Sequence, residues 1–249
     1  MPTTIGIVHA GPGSACWKDK LSRRLGNHSW LELVVRCVTD CQQLDGVVVV
    51  LGAADAALGE LAPSNVPLHI SDRPDALGRI ASAADAFQAD AVVRIGAEHP
   101  FVDPVFLDRL ATTAAAHPRC DYIGFCSQHG GSAGRAALGW FGDWCRTEAL
   151  WRADREATLA VDREQPTRFL WTHPEYFSLR FIPLPSELER EGLRMASGSE
   201  EAWEHALTIH DALGHEDVDW RRIAGLLSGL PEFHGAAVEG EAVSSRAVE

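Results

Sequence analysis

Apolar residues along the chain fall into short runs, and between these runs they recur at helical spacing. Thr4-Ile5-Gly6-Ile7-Val8-His9 reads as a buried strand, followed by the glycine turn Gly11-Pro12-Gly13-Ser14. From Trp30 to Cys41 the apolar positions Trp30, Leu31, Val34, Val35 and Val38 recur every three to four residues, which predicts an amphipathic helix. Gly46 to Leu51 is nearly all β-branched and is bounded by turn residues, the pattern of a strand covered on both faces. Val66 to Ile70 predicts a short third strand, Asp75 to Gln88 an Ala-rich helix, and Ala91 to Ile95 a further central strand. Pro104 to His117 predicts a helix with proline in its favoured first turn. Strands alternating with helices predict an α/β fold whose mostly parallel sheet has helices on both faces.

After Cys120-Asp121-Tyr122-Ile123 the alternation loosens. Gln128 to Gly134 predicts a loop, and Thr147 to Ala157 a helix. Thr167 to Pro185 reads as extended and aromatic (Phe169, Trp171, Tyr176, Phe177, Phe181), either an arm or a core strand. Glu200 to Leu213 and Asp219 to Leu230 predict helices, the first with Ser199 as N-cap. No repeat or linker divides the chain, so residues 1–234 are expected to form one domain, with an arm around 161–185 and a disordered tail over 235–249.

Composition narrows the functions available. A chain of 249 residues is long enough for a sizeable core. Its 35 acidic and 22 basic residues give a net charge of -13, which repels phosphate backbones and argues against nucleic-acid binding. No apolar run approaches the ~20 residues of a membrane span, and Met1-Pro2-Thr3-Thr4 lacks a signal peptide's basic head and apolar body, so no membrane partner and a cytoplasmic location are expected. The six cysteines include no CxxC pair, which predicts reduced, packed thiols and not a zinc site.

In a parallel sheet, ligands bind beyond the carboxyl ends of the strands. The loop His9 to Lys20 lies there. Its small residues let backbone N–H groups approach a phosphate, and Lys18 or Lys20 offers a point charge, although the spacing matches neither GxxxxGK[ST] nor GxGxxG and such a turn taken alone is more often structural. The loop Arg94 to Pro104 places Glu98 just past a central strand, where a carboxylate can hold a divalent cation that bridges phosphates; a solvated loop acid is the alternative. Asp103 reads as the cap of the helix that opens at Pro104. Asp217-Val218-Asp219 has the form of a glycosyltransferase metal triplet, but its place before the last helix favours capping.

Several stretches match motifs of a known family. The segment His9 to Lys20 is similar to a loop of the form QARMGSTRLPGKVL, sharing the Gly13-Ser14 pair and Lys20. Gly26 through Arg36 resembles GxPLLEHVIER, Asp75 to Arg79 resembles DVLDR, and Ala91 to Pro104 resembles DVVVRITGDCPLIDP. Ala153 to Thr158 and Asp162 to Thr167 resemble ADREAT and DREHVTPY, and His173-Pro174-Glu175 is similar to the phrase that follows them. In this order, over residues 4–230, the chain resembles the cytidylyltransferases of the spore-coat polysaccharide biosynthesis type, relatives of the acylneuraminate and Kdo cytidylyltransferases.

The resemblance implies a three-layer α/β/α, nucleotide-diphospho-sugar transferase-like fold, GT-A-like and Rossmann-related. It implies that a hydroxyl of a sugar or sugar acid attacks the α-phosphate of CTP and releases pyrophosphate, with Mg²⁺ as cofactor, in a homodimer built through Phe169 to Phe181. By the same resemblance Lys20 is catalytic, and the nucleotide meets His9, Ala10, Gly11, Gly13, Ser14, Lys18, Lys20, Asp75, Arg79 and Arg94. Asp143, Glu164 and Gln165 meet the substrate, and Glu98 holds the metal. An internal ion-pair network competes as a reading of Asp75, Arg79 and Arg94, and a polar turn as a reading of Glu164 and Gln165.

The departures fall on the phosphate and metal positions, so the resemblance is to a degenerate active site. Gly11 and Cys16 stand where the family carries arginines, Gly198 where it carries a second metal-binding aspartate, and Glu98 where it carries a shorter acid. Neither glycine nor a neutral thiol replaces the two-point grip of arginine on phosphate. Losing one preorganised donor costs about 3–4 kcal/mol of transition-state stabilisation. Two readings stay open: a cytidylyltransferase that activates a sugar for glycan biosynthesis, and a non-catalytic nucleotide- or sugar-binding relative or partner subunit.

Overall fold

A computed structural model describes residues 2–10, 15–126, 141–188, 200–214 and 219–230. The strands are β1 (Thr4–His9), β2 (Arg24–Leu25), β3 (His28–Ser29), β4 (Gly46–Gly52), β5 (Leu68–Ser71), β6 (Ala91–Gly96), β7 (Tyr122–Cys126), β8 (Asp143–Arg146) and β9 (Leu179–Pro183). The α-helices are α1 (Ala15–Ser22), α2 (Trp30–Thr39), α3 (Ala76–Ala86), α4 (Pro104–Ala116), α5 (Thr147–Glu156), α6 (Ala160–Glu164), α7 (Arg168–Thr172), α8 (Glu200–Leu213) and α9 (Trp220–Ser228), with a 3-10 helix over Ala53–Leu61.

Among the described residues, seven strands form one sheet in the order β5-β4-β1-β6-β8-β7-β9. β1 pairs parallel with β4 and β6, β4 with β5, and β7 with β9, while β8 runs antiparallel between β6 and β7. This is the mostly parallel, nucleotide-diphospho-sugar transferase-like arrangement expected from the sequence. Because β8 is reversed, its first residue, Asp143, sits opposite Arg94 near the carboxyl end of β6.

Side chains alternate along each strand, so the sheet has two cores. Val8, Val49, Leu51, Val93, Ile95, Ile123 and Phe125 pack toward α2, α4, α8 and α9. Ile5, Ile7, Val48, Val50, Val92, Tyr122 and Cys145 pack toward α3, α5 and α7. Helices α2, α3, α4 and α9 start on side-chain caps: Ser29 accepts from Glu32 N–H, Asp75 from Gly78 N–H, Asp103 from Val105 N–H, and Asp219 from Arg222 N–H. The second oxygen of Asp103 accepts from Trp220 N–H at 2.9 Å, tying the start of α9 to that of α4.

The structure corrects the sequence reading in places. Thr167 to Pro185 is not one extended segment: α7 occupies 168–172, and only 179–183 forms a strand. Phe169 and Leu170 are buried from α7 in the same core as α5, so packing overrides the strand preference of aromatic residues. β8 and α1 were not anticipated. The predicted loop over 128–134 and the predicted tail over 235–249 lie outside the described residues.

Candidate functional site

A chain of buried polar side chains crosses the sheet just below the carboxyl ends of its strands. Arg94 shares a face with Val92 and projects toward the α3 and α5 side. One of its amino groups donates to Asp143 Oδ2 at 2.6 Å, and the other lies 3.4 Å from His9 Nε2. Asp143, 3% exposed, also accepts the Tyr122 hydroxyl at 2.7 Å and the Thr167 hydroxyl at 3.0 Å. Its two oxygens therefore serve three donors from β6, β7 and the start of α7. Gly124 makes this possible, since a Cβ there would lie 2.5 Å from the Tyr122 hydroxyl.

His9 closes the chain at the end of β1. Arginine can only donate, so His9 Nε2 accepts and the ring proton sits on Nδ1. That Nδ1 is buried without a hydrogen-bond partner, as is Arg94 Nε. Burial, and after it the nearby Arg94 charge, lowers the His9 pKa to about 4, so the ring is neutral at physiological pH. Burial opposes ionisation of Tyr122, and Asp143 adds to the effect, so its hydroxyl remains a donor.

Glu98 stands in the turn after β6, 3.6 Å from His99 Nε2, with 20% of its side chain accessible. Burial disfavours its charge, but His99, His9 and Arg94 outweigh this and hold the carboxyl below its ordinary range. Arg94 is the permanent cation of the three. The turn is braced by Trp30, whose indole N–H donates to Ala97 O at 3.0 Å. Trp203 of α8 stacks on Trp30 with ring centroids 5.7 Å apart, and Arg23 lies over Trp203. The β2–β3 hairpin and α8 are thereby docked beside the Glu98 turn.

The remaining expected residues are placed as follows. Lys20 is buried in the last turn of α1 and is engaged, not free. Ala10 is buried and donates its N–H to Val50 O. Asp75 caps α3 with one oxygen and accepts from Arg163 at 2.9 Å with the other, and Arg163 also donates to Asp154 at 2.6 Å. Arg79 donates to Arg73 O and Pro74 O. Both residues are thus held within the protein's own network, as Asp143 is. Glu164 and Gln165 are exposed at the end of α6, two to three residues before Thr167. Gly11, Gly13, Ser14, Gly198 and the side chains of Cys16 and Lys18 lie outside the described residues. Among the described residues no group of three or more His, Cys, Asp or Glu is disposed to hold a metal ion.

Sequence reasoning did not assign Tyr122 or Thr167, which complete the Asp143 cluster. Tyr122 reads as one more apolar strand position, and its polar end matters only once Asp143 is placed beside it. Among the described residues no disulfide forms: Cys37, Cys41, Cys120, Cys126 and Cys145 are unbridged. Burial pushes the Cys37 thiol up to about 12 and raises those of Cys41 and Cys145.

Residues 6–201 match the family model of the MobA-like NTP transferase domain. The chain belongs to this nucleotidyltransferase family. The spore coat polysaccharide biosynthesis protein SpsF of Bacillus subtilis is 23% identical over 245 residues, 95% of this chain and 97% of that protein. An uncharacterised protein of Methanocaldococcus jannaschii is 25% identical over 232 residues, 92% of each chain. A cytidylyltransferase from Leptospira borgpetersenii shares the fold with a TM-score of 0.81 at 18% identity, covering 96% of this chain and 99% of that one. CMP:2-keto-3-deoxy-manno-octonic acid synthetase, solved with CTP, does so with a TM-score of 0.64 at 9% identity, covering 84% and 99%. The fold is thus shared with cytidylyltransferases, as the sequence motifs implied. Among the described residues no helix is long and apolar enough to cross a membrane.

Proposed function

We propose that the protein is a CTP-dependent cytidylyltransferase that activates a sugar or sugar acid for polysaccharide biosynthesis. One observation carries this reading: the ends of β1 and β6 bring together a neutral imidazole donor, a fixed guanidinium and a partly accessible carboxylate in a nucleotidyltransferase family member. CTP lies across these strand ends, with the loop after β1 and Lys20 on its phosphates. The acceptor lies toward Asp143 and the turn at Glu164 and Gln165.

Glu98 fits a hard divalent cation, because its carboxylate is seated in a cradle over Gly96 and stays ionised, although it is a single protein ligand. Phosphate and water oxygens would complete the coordination of such a cation; a Mycobacterium tuberculosis protein of the same fold (TM-score 0.54) was solved with manganese. A bound Mg²⁺ neutralises charge that develops on the phosphates. Arg94, fixed by Asp143, orients His9 and adds positive potential beneath the nucleotide. His9 holds its proton on Nδ1 and serves as a donor.

The working unit is residues 1–234, in the cytoplasm, as a homodimer formed through segment 161–185. Exposed Trp151, Leu159, Val161 and Tyr176 on α5, α6 and the turn before β9 support that contact. The non-catalytic reading is favoured by Gly11, Cys16 and Gly198. Isothermal titration with CTP and Mg²⁺, run beside a pyrophosphate-release assay with sugar-acid acceptors, separates the two. Binding with pyrophosphate release is the expected result. Binding without release turns the assignment to a nucleotide-binding subunit, and no binding ends both readings.

A further inference from the structure

The Glu98 carboxylate does not reach outward from its turn; it doubles back over the end of β6. A Cβ built on Gly96 would lie 2.2 Å from Glu98 Oε1 and 2.3 Å from both Cδ and Oε2. All three carboxyl atoms thus occupy the volume in which any other residue at 96 carries its first side-chain carbon. The backbone cannot move aside to make room. Gly96 pairs with His9 of β1, Ala97 N–H donates to His9 O at 2.9 Å, and His99 N–H closes the turn on Gly96 O at 3.3 Å.

We propose that Gly96 is a positioning residue, whose missing side chain seats the Glu98 carboxylate where a divalent cation meets the nucleotide. The motif this segment resembles, ITGDCP, has threonine and aspartate where this chain has Gly96 and Glu98. The two differences form one compensation. Glutamate is a methylene longer than aspartate, and folding it back over an empty Cβ position absorbs the extra length. A seated carboxylate also gives up less rotamer freedom on binding metal than one swinging in solvent. The inference rests on the transferase reading and adds to it a rule linking positions 96 and 98.

The test uses the full chain and reads Mn²⁺ binding by electron paramagnetic resonance in the presence of CTP, so it needs no turnover. Gly96→Ala is expected to weaken Mn²⁺ binding about tenfold or more, the effect typical of losing a group that orients a metal ligand. Its melting temperature is expected to stay close to wild type, because the displaced atoms are the free end of a flexible side chain. A purely structural glycine would show the reverse, with lost stability and intact Mn²⁺ affinity. Gly96→Ala combined with Glu98→Asp is expected to recover part of the affinity, since the shorter acid no longer collides with the new methyl group. Wild-type Mn²⁺ affinity in Gly96→Ala overturns the inference and leaves the transferase reading standing. Wild-type protein that binds CTP but no Mn²⁺ removes the metal role from both residues, and failure to bind CTP refutes the transferase reading itself. Should Gly96→Ala not fold, Glu98→Asp alone decides: it is expected to lose affinity because it cannot reach the seat, and full retention overturns the proposal.

Discussion

The two faces of the central sheet are built from the same strands and do different work. Toward α2, α4, α8 and α9 the packing is apolar, with Phe106 meeting Phe141, Phe125 and Trp220 at centroid distances of 4.8, 5.4 and 5.4 Å. Toward α3, α5 and α7 the apolar rows of Ile5, Ile7 and Val92 give way near the strand ends to His9, Arg94, Asp143 and Tyr122. A strand projects alternate residues to opposite faces, so one sequence can supply both an uninterrupted core and a polar layer. The difference teaches that stability and site are separable: the apolar face can hold the fold, while the polar layer costs desolvation and returns geometry.

Asp143→Ala should break the comparison most severely. It would leave the Arg94 charge buried without its partner and strip the acceptor from Tyr122 and Thr167. Uncompensated buried charge costs about 3–5 kcal/mol, measurable as a shift in the urea unfolding midpoint. Replacing both partners, Arg94→Met with Asp143→Leu, should cost clearly less than Asp143→Ala alone while abolishing CTP binding. A double variant as unstable as the single one would show that the polar layer holds the fold as well.

The next effect is a pH dependence confined to the polar face. His9 has a folded-state pKa of about 4 against 6.5 ordinarily. Between these values the unfolded chain takes up a proton that the folded chain refuses, so stability is full above about pH 6.5 and falls as pH is lowered toward 4. At pH 5 the loss amounts to about 2 kcal/mol from His9, and His99, shifted the same way by burial, adds to it. Urea midpoints at pH 7 and pH 5 should therefore separate in the wild type and move closer together in His9→Gln. A wild-type midpoint unchanged between these pH values would refute the buried neutral imidazole.

Much of this division was legible in the sequence. The strands Thr4–His9 and Gly46–Gly52 announce themselves by β-branched runs, and α2 by the spacing of Trp30, Leu31, Val34, Val35 and Val38. The resemblance points to His9, Arg94, Asp143 and Glu98 by position, with Arg94 the motif's own residue and Glu98 a longer acid in place of an aspartate. Their connections were not legible, because they depend on β8 running antiparallel. Asp143-Trp144-Cys145-Arg146 is four residues long with no β-branched residue, so neither the strand nor its direction shows in the pattern. Without β8, Asp143 cannot be placed opposite Arg94 or within reach of Tyr122. The Gly96 seat was hidden for a different reason: it is a shape, and no periodicity reports where a carboxylate folds back.

The smallest predicted effect probes where the polar layer reaches the acceptor turn. Thr167, the residue preceding α7, donates to Asp143 Oδ2 at 3.0 Å, and Glu164 and Gln165 lie two to three residues before it. Thr167→Val keeps the shape and removes one hydrogen bond, while Asp143 still holds Arg94 and Tyr122, so the expected stability loss is about 1 kcal/mol. Phe106→Leu on the opposite face should cost a comparable amount by loosening the aromatic cluster. The two variants are then matched in stability and differ only in face. Under the separation argued here, Phe106→Leu binds CTP and a sugar-acid acceptor as the wild type does, whereas Thr167→Val keeps CTP affinity and weakens acceptor binding in a calorimetric titration. Equal acceptor affinity in both variants would mean that the polar layer ends at Asp143 and does not govern the turn beyond it.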